Sequence, residues 1–313
     1  MRIALTGLTG FLGSRVAAAA LAAGHAVRGL VASGGRPVPE GVEIVEGALG
    51  DDAARRLVEG ADVLLHLAAL GVRRCQRDWQ PMAVVNVVEP LGLLSAAARA
   101  GVGRAVLAGS CLEYTGHGRL PDVPAPSAPR CDESSPTEPP EPYGATKAAG
   151  GLLQRTRARE LGLRTWYLRV ASLYGAGDHA AKFLPSAVGA AVTGRPFEMT
   201  RGEQVREWLH VEDAVAALLA AAGVDPPEPV TTLNVGTGEG LSLRDLVGSV
   251  FEIAGADPTL IRAGARPYRG EVHRLVMDVS RARTALAGWR PRVELHAGLE
   301  ALVREEAGRS ARG

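Results

Sequence analysis

The chain opens with a short apolar strand pattern, and a glycine-rich turn follows it directly. Residues 2–7 read RIALTG, and the run TGLTGFLG leads into a helical pattern over residues 11–23. Glycines allow a tight turn in which backbone N–H groups and the positive end of a helix point at one anion. A strand, such a turn and a helix are typical of a dinucleotide pyrophosphate site. The cofactor-binding residues predicted here are Gly7, Gly10, Phe11, Leu12 and Gly13.

The first half of the chain alternates strand and helix patterns. This alternation predicts an α/β fold, a doubly wound (Rossmann) parallel sheet of six or seven strands covered by helices. The predicted strands are 2–7, 25–32, 42–45, 61–69, 104–110 and 164–171, and the predicted helices are 11–23, 81–100 and 143–161. Eight prolines lie in 115–142, which we expect to be an irregular loop.

The second half shows only short helical patterns. These lie at 181–193, 211–222, 242–254, 280–286 and 295–306. We expect a dinucleotide-binding domain over 1–171, a return segment at about 208–235, and a smaller C-terminal substrate-binding domain within 172–313.

Composition argues against several classes of partner. The formal net charge is +1 with scattered basic residues, so we expect no nucleic-acid partner. No run of about 18 residues is free of Gly, Pro and charge, so we expect no membrane partner. The cysteines, Cys75, Cys111 and Cys131, are odd in number and lack a CxxC spacing. Together with the absence of a leader pattern, they indicate a cytoplasmic protein with reduced thiols and no metal site.

The residues that follow the second strand bear on the choice of cofactor. An acidic residue that binds the adenosine ribose of NAD is expected about 20 residues after the glycines. Residues 25–39 contain no Asp or Glu, and Ser33 and Arg36 lie in the expected region. Ser and Arg can hold a 2′-phosphate, which favours NADP(H), with NAD(H) possible. In the alternative interpretation Arg36 is solvated and backbone groups bind the ribose.

A tyrosine and a rare lysine share one helix face. Lysine occurs only at positions 147 and 182, among 35 basic residues. In PYGATK, Tyr143 and Lys147 are four residues apart and therefore on the same face of the predicted helix. A unit charge about 4 Å away contributes about 4 kcal/mol at an effective dielectric of 20, enough to lower the pKa of a phenol by about three units. The pair is a candidate general acid/base, although the same spacing also occurs by chance.

Ser110 ends the predicted strand 104–110, at the carboxyl edge of the sheet. Ligands bind at this edge in open α/β folds, so its hydroxyl is a candidate to hold a substrate oxygen. The alternative role is a cap of the strand end.

Together these motifs resemble the extended short-chain dehydrogenase/reductase family, the group of nucleotide-sugar epimerases, dehydratases and reductases. The resemblance covers nearly the whole chain. It rests, in chain order, on TGLTGFLG, HLAA (66–69), VVNVVEPLGLLSAA with Asn86, GSCLEYTG with Ser110, PYGATK, LRVASLYGAGD with Ser172 in place of the usual Asn, REWLHVEDA (206–214), LNVGTGEGLS (233–242) and the run from YRGE to WRP (268–291).

The resemblance implies a transient or net hydride transfer at a carbon of a nucleotide sugar. Tyr143 would exchange a proton with the sugar oxygen, Lys147 would lower the pKa of Tyr143 and bind the nicotinamide ribose, and Ser110 would hold the reacting oxygen. The residues implied beside the nicotinamide are Leu67, Ala68 and Ala69.

The resemblance also implies substrate contacts and an assembly. The implied substrate residues are Cys111, Ser172, Lys182, Arg206 and Arg269, with the two arginines on the nucleotide diphosphate. A surface salt bridge is the alternative role of each arginine. The chain is expected to form a homodimer through helices around 85–100 and 148–160.

Three features guide the choice of reaction. Sugar 4,6-dehydratases of this family carry an acidic pair directly after the catalytic Ser/Thr, where this chain has Cys111 and Leu112. Cys111 and His179 are out of register with the pair of the combined epimerase–reductases. The missing acidic ribose clamp then favours a reductase of a nucleotide-linked 4-keto (deoxy)sugar, with hydride from NADPH. The alternatives are an NAD-dependent nucleotide-sugar 4-epimerase and a non-catalytic dinucleotide-binding sensor.

Overall fold

A computed structural model describes residues 1–32, 37–116, 129–268 and 272–311. Its strands are β1 (Arg2–Thr6), β2 (Ala26–Val31), β3 (Glu43–Glu46), β4 (Val63–His66), β5 (Arg104–Ser110), β6 (Arg164–Val170), β7 (Ser172–Tyr174), β8 (Phe197–Met199), β9 (Val205–Arg206), β10 (Trp208–His210), β11 (Val230–Val235), β12 (Leu241–Ser242), β13 (Ile261–Ala263) and β14 (Arg274–Leu275). Its helices are α1 (Phe11–Ala22), α2 (Asp51–Val58), α3 (Trp79–Ala83), α4 (Glu89–Arg99), α5 (Pro142–Glu160), α6 (Phe183–Val192), α7 (Val211–Gly223), α8 (Leu243–Ile253), α9 (Ser280–Ala285) and α10 (Leu295–Ser310).

Seven strands form one parallel sheet in the order β3-β2-β1-β4-β5-β6-β11. The chain leaves β1 toward one edge and returns beside it with β4, so the order reverses between these two strands. In such sheets a crevice opens outside the carboxyl ends of the strands at the reversal. The predicted doubly wound parallel sheet is therefore confirmed, and its ligand-binding edge lies where β1, β4 and β5 end.

The sheet is buried on both faces, as its nearly continuous apolar strands predict. Ile3 and Leu5 of β1 pack in one apolar cluster with α1 and α7. Ala4, between them, packs in a second cluster with α2 and α4. This alternation follows from the two-residue repeat of a strand, and it places helices on both sides of the sheet.

The later elements build a smaller second body beside the carboxyl edge. Helices α6, α8 and α10 share an apolar cluster of their own, with Phe197 and Met199 of β8 in its core. Short strands pair there as β7 with β10, β8 with β13, and β9 with both β12 and β14. The division at residues 171 and 172 stays a prediction.

Two helical segments differ from the sequence prediction. No helix was predicted over 51–58, but α2 forms there and buries Ala54, Leu57 and Val58. Its eight residues are too few for a strong periodic signal. The predicted helix 81–100 is instead α3, a π-helical turn over Val84–Val88, and α4.

The segment formed by α3, the π-helical turn and α4 is also long and apolar. Within the described residues, Trp79–Arg99 alone is long and apolar enough to cross a membrane by length and composition. Core helices of soluble proteins pass the same test, and this segment contains Pro81, Glu89 and Pro90. It is therefore weak evidence for a membrane span.

Candidate active site

The glycine turn after β1 is packed so tightly that side chains cannot replace hydrogen at two positions. Gly7 has a φ of +75°, and a Cβ there would lie 2.8 Å from the backbone nitrogen of Ala68. A Cβ on Gly13 would come closer than 3.0 Å to the carbonyl oxygen of Gly7, a separation that real Cβ atoms essentially never show. The turn is closed by the N–H of Gly10, which donates to that carbonyl at 2.9 Å.

Helix α1 begins at this turn with its first N–H groups free of a side-chain cap. Gly10 is the N-cap residue, no side chain accepts a hydrogen bond there, and the first turn holds no acidic residue. The exposed N–H groups and the helix dipole favour an anion. This uncapped end, together with a cradle that a Cβ would fill, fits a dinucleotide pyrophosphate. The ring of Phe11, the first helical residue, lies beside the Arg15 guanidinium, 4.6 Å from the ring centroid.

The end of β4 is tied to the end of β1 through one hydroxyl. Thr6 Oγ1 accepts hydrogen bonds from the N–H groups of Leu67 and Ala68, both at 3.2 Å. This leaves the Thr6 hydroxyl proton for Nδ1 of His66, 2.7 Å away. Burial lowers the pKa of His66 to about 3, and the charge of Lys147 acts in the same direction. His66 is therefore neutral, and half-buried Leu67, Ala68 and Ala69 follow it at the carboxyl edge of the sheet.

Ser110, Tyr143 and Lys147 converge at the end of β5. The side chain of Ser110 lies close enough to Tyr143 to lower its pKa. Lys147 Nζ donates to the carbonyl of Ala108 in β5 at 2.7 Å, and the lysine is only 3% exposed. Gly144 allows this approach, because a Cβ there would come closer than 3.0 Å to the carbonyl oxygen of Leu112. The structure thus brings together the three residues predicted to be catalytic.

The electrostatics of Tyr143 differ from the sequence argument. Burial raises the pKa of Tyr143 above its ordinary value, and the Glu113 carboxylate and Cys111 raise it further. The side chain of Ser110 and the charge of Arg77 oppose this shift but do not reverse it. Burial also lowers the pKa of Lys147. The lowered pKa predicted for Tyr143 was wrong, because desolvation of the phenolate outweighs the charges nearby.

Asn86 fixes α5 against the loop that follows β4. Its Oδ1 accepts from the N–H of Leu70 at 2.8 Å, and its Nδ2 donates to the carbonyl of Leu70 at 2.9 Å and to Thr146 Oγ1 at 3.0 Å. The carbonyl of Asn86, within the π-helical turn, accepts from Gln154 Nε2 at 3.1 Å. Asn86 therefore couples the helix of Tyr143 and Lys147 to the loop that follows β4.

The predicted substrate residues fall into two groups. Cys111 is buried, and burial raises its pKa to about 12, an effect that the side chain of Ser172 opposes. The charge of Arg206 acts on the same thiol, and this arginine donates to the backbone carbonyls of Val272 and His273.

Lys182 lies elsewhere. It forms an ion pair with Asp178 at 2.8 Å, and its Nζ is 5.4 Å from the ring centroid of Phe11. The structure thus places Lys182 beside the glycine turn. Its predicted substrate contact stays a prediction. Ser33, Arg36 and Arg269 lie outside the described residues.

Two buried carboxylates next to this site, Glu113 and Glu207, were not predicted from the sequence. Glu207 accepts from the N–H groups of Gly238 and Met277 at 2.9 and 2.8 Å. Glu113 accepts from the N–H of Ser110 at 2.7 Å, as in a capping box. The spacing S-x-x-E from Ser110 to Glu113 is the signal that could have identified it. Among the described residues, no three His, Cys, Asp or Glu side chains are grouped to hold a metal ion.

Comparison with known proteins places this geometry in a family. Residues 3–236 match the model of the NAD dependent epimerase/dehydratase family. A dTDP-glucose 4,6-dehydratase of Streptomyces griseus is 32% identical over 261 residues, which cover 82% of this chain and 75% of that protein. A UDP-glucose 4-epimerase of Mycolicibacterium smegmatis is 31% identical over 320 residues, which cover 97% of each.

A solved structure extends the likeness to three dimensions. The structure of MoeE5 in complex with UDP-glucuronic acid and NAD matches 99% of this chain and 100% of its own, with a TM-score of 0.86 and 29% identity. The chain therefore belongs to the NAD-dependent epimerase/dehydratase family of extended short-chain dehydrogenase/reductase enzymes.

Proposed function

We propose that this chain is an NAD-dependent nucleotide-sugar 4-epimerase. The observation that carries the proposal is the convergence of Ser110, Tyr143 and Lys147 at the edge shared with the glycine turn, with no acidic side chain at positions 111 and 112. This set can move one proton to and from a sugar oxygen. It lacks the additional acid and base that loss of water requires.

The side chains have separable roles in this proposal. Because burial raises its pKa, Tyr143 must first lose its own proton, and as the phenolate it would take the proton of the sugar 4-hydroxyl and later return it. Ser110 Oγ accepts from the N–H of Leu112 at 3.2 Å, so its own proton is available for the substrate oxygen. The glycine turn and the start of α1 hold the pyrophosphate, and Lys147 is available to the nicotinamide ribose. NAD, when bound, accepts the hydride of C4 and supplies it again.

A dehydratase role is disfavoured by the residue that follows Ser110. Cys111 is buried, and burial raises its pKa to about 12, so it is protonated at neutral pH. Leu112 cannot transfer a proton. The epimerase relative also aligns over a larger share of both chains than the dehydratase relative.

One sequence observation favours a second candidate. Residues 25–39 contain no carboxylate that would repel a 2′-phosphate. Reduction of a nucleotide-linked 4-keto sugar by NADPH therefore stays a prediction. The relatives reported above are named as epimerases and dehydratases, and MoeE5 was solved with NAD, so epimerisation with NAD has the stronger support.

A single set of assays separates the two candidates. The purified protein is denatured, and released nicotinamide cofactor is identified by chromatography. The protein is then incubated with UDP-glucose, UDP-glucuronic acid or dTDP-glucose. Epimerisation predicts retained NAD and formation of the 4-epimer without net change in nicotinamide absorbance. Consumption of NADPH with a dTDP-4-keto-6-deoxyhexose, and no epimer, would instead establish the reductase.

We also propose a homodimer formed through α4 and α5, which pack against each other. Five exposed large apolar side chains lie on this helical pair and the turns leading into it, namely Trp79, Val84, Val88, Leu152 and Leu153. Val88 is 60% exposed and Leu152 is 59% exposed. An apolar patch of this kind is typical of a protein–protein interface.

Replacing Val88 by glutamate should dissociate this dimer, because the carboxylate would be desolvated in the interface. Light scattering after size exclusion should give the mass of two chains for the wild type and of one chain for Val88→Glu. Ile44, which is 47% exposed at the edge strand β3, gives the matched control. Ile44→Glu should leave the mass unchanged, and an unchanged mass of Val88→Glu would contradict this interface.

A further inference from the structure

Glu113 is a fully buried carboxylate directly behind Ser110. It ends the 3-10 turn Cys111–Glu113 that follows β5, and it is 0% exposed. Its Oε1 accepts from the N–H of Ser110 at 2.7 Å and from the hydroxyl of Tyr167 at 2.8 Å. Its Oε2 accepts from Nε of Arg169 at 3.0 Å. Every one of these partners is buried.

The ion pair of Glu113 and Arg169 requires special residues around it. A Cβ on Gly109 would lie 2.7 Å from Glu113 Oε1 and 2.6 Å from Cε1 of Tyr167, so only glycine fits in β5 at this point. Arg169 stacks on the ring of Tyr114, 4.6 Å from its centroid, and donates to its hydroxyl at 2.9 Å. A buried ion pair is often no more stable than an apolar pair of the same volume. Stability alone therefore does not explain its place behind the reacting groups.

We propose that Glu113 is a positioning residue of the active site, which holds the Ser110 backbone and acts with its negative charge on the protons of Lys147 and Tyr143. Arg169 pairs with the carboxylate at 3.0 Å. The effect of Glu113 on catalysis rests on the proposed function. The effect of its charge on Lys147 does not, and it can be tested without a substrate.

The charges around the pair support this role. Burial lowers the pKa of Lys147, and the charge of Glu113 opposes that effect. Glu113 also follows burial as a cause of the raised pKa of Tyr143. The other groups that face Tyr143 are Ser110, Cys111 and Arg77, and His66 faces Lys147. None of these is a carboxylate.

The two-lysine composition of the chain makes the electrostatic part directly measurable. Protein labelled with 13C at the lysine Cε positions should give two signals, from Lys147 and Lys182. Lys182→Arg removes one signal and so assigns both. In Glu113→Gln we expect the titration midpoint of Lys147 to fall by about one pH unit or more, while that of Lys182 stays in place and serves as the internal reference.

Two further variants separate charge from structure. Arg169→Lys disturbs the geometry of the network but keeps both charges, so the Lys147 midpoint should stay at the wild-type value. Glu113→Gln combined with Arg169→Met removes both charges and is the fallback if the single variant does not fold, since a neutral pair of similar volume is tolerated. The Lys147 midpoint should fall in this double variant too. An unchanged midpoint in the folded Glu113→Gln or double variant would overturn the inference.

The catalytic part has a separate readout. On any sugar nucleotide that the wild type converts, Glu113→Gln should lower turnover by about 10-fold or more, because the amide still accepts from the Ser110 N–H but carries no charge to act on Lys147. A wild type that converts no sugar nucleotide would refute the proposed function, while the lysine titration would still decide the role of the Glu113 charge.

Discussion

Replacing Tyr143 by phenylalanine should reduce turnover by about 100-fold or more, the usual loss when a positioned acid/base is removed. The side chain of Ser110 acts on the phenol, and Lys147, one helical turn along α5, donates to Ala108 in β5. Phenylalanine keeps the ring and its packing but carries no proton. Binding of NAD should therefore survive, since the glycine turn and α1 are untouched.

The measurement pairs steady-state epimerisation with calorimetric titration of NAD. Tyr174→Phe is the matched control, because the Tyr174 hydroxyl is buried and has no hydrogen-bond partner among the described residues. That variant should keep wild-type turnover. If Tyr143→Phe retained more than about a tenth of wild-type turnover, Tyr143 would not be the acid/base.

Replacing Gly13 by alanine should weaken NAD binding by about 10-fold or more and lower the free energy of unfolding by about 1–3 kcal/mol. The added Cβ would come closer than 3.0 Å to the Gly7 carbonyl, which belongs to backbone and cannot rotate away. The turn must open to accept it. Opening moves the N–H groups of α1 away from the pyrophosphate position.

Gly248→Ala provides the control for this test. Gly248 is also within a helix, α8, and a Cβ there has no atom within 4 Å. That variant should bind NAD normally and unfold at the same or a higher temperature, since alanine favours helix. Calorimetric titration measures the NAD affinity of both variants, and thermal unfolding measures their stability. If Gly13→Ala bound NAD with wild-type affinity, the glycine turn would not be part of the cofactor site.

The features that the sequence predicted well are those encoded by local pattern. The glycine turn, the alternating strands and the Tyr143/Lys147 spacing depend on residues close in the chain, and the sheet and the meeting of Tyr143 and Lys147 at its edge follow from them. Helix α2 was missed because eight residues give little periodicity. The π-helical turn was missed because its apolar pattern continues across it.

The pKa shifts in the site depend on how deeply each side chain is buried, which the local sequence pattern does not encode. The spacing in the sequence predicted that Lys147 lies near Tyr143, but it does not encode how far the two side chains are desolvated. The predicted direction of the Tyr143 pKa shift was therefore wrong. The placement of Lys182 beside Phe11 depends on the path of the chain from β7 to α6. Glu113 looked like an ordinary acidic residue because its partners, Tyr167 and Arg169, lie more than fifty positions later.

The π-helical turn over Val84–Val88 sets the rotational phase of everything that follows it in α4. One residue more or less turns the downstream side chains by about 100° around the helix axis, because a regular helix has 3.6 residues per turn. Shortening the turn by one residue would swing Leu93 and Leu94 out of the core and rotate the outward face of the helix. A change of a single residue in this turn thus decides which side of the helix packs against the sheet and which side faces outward.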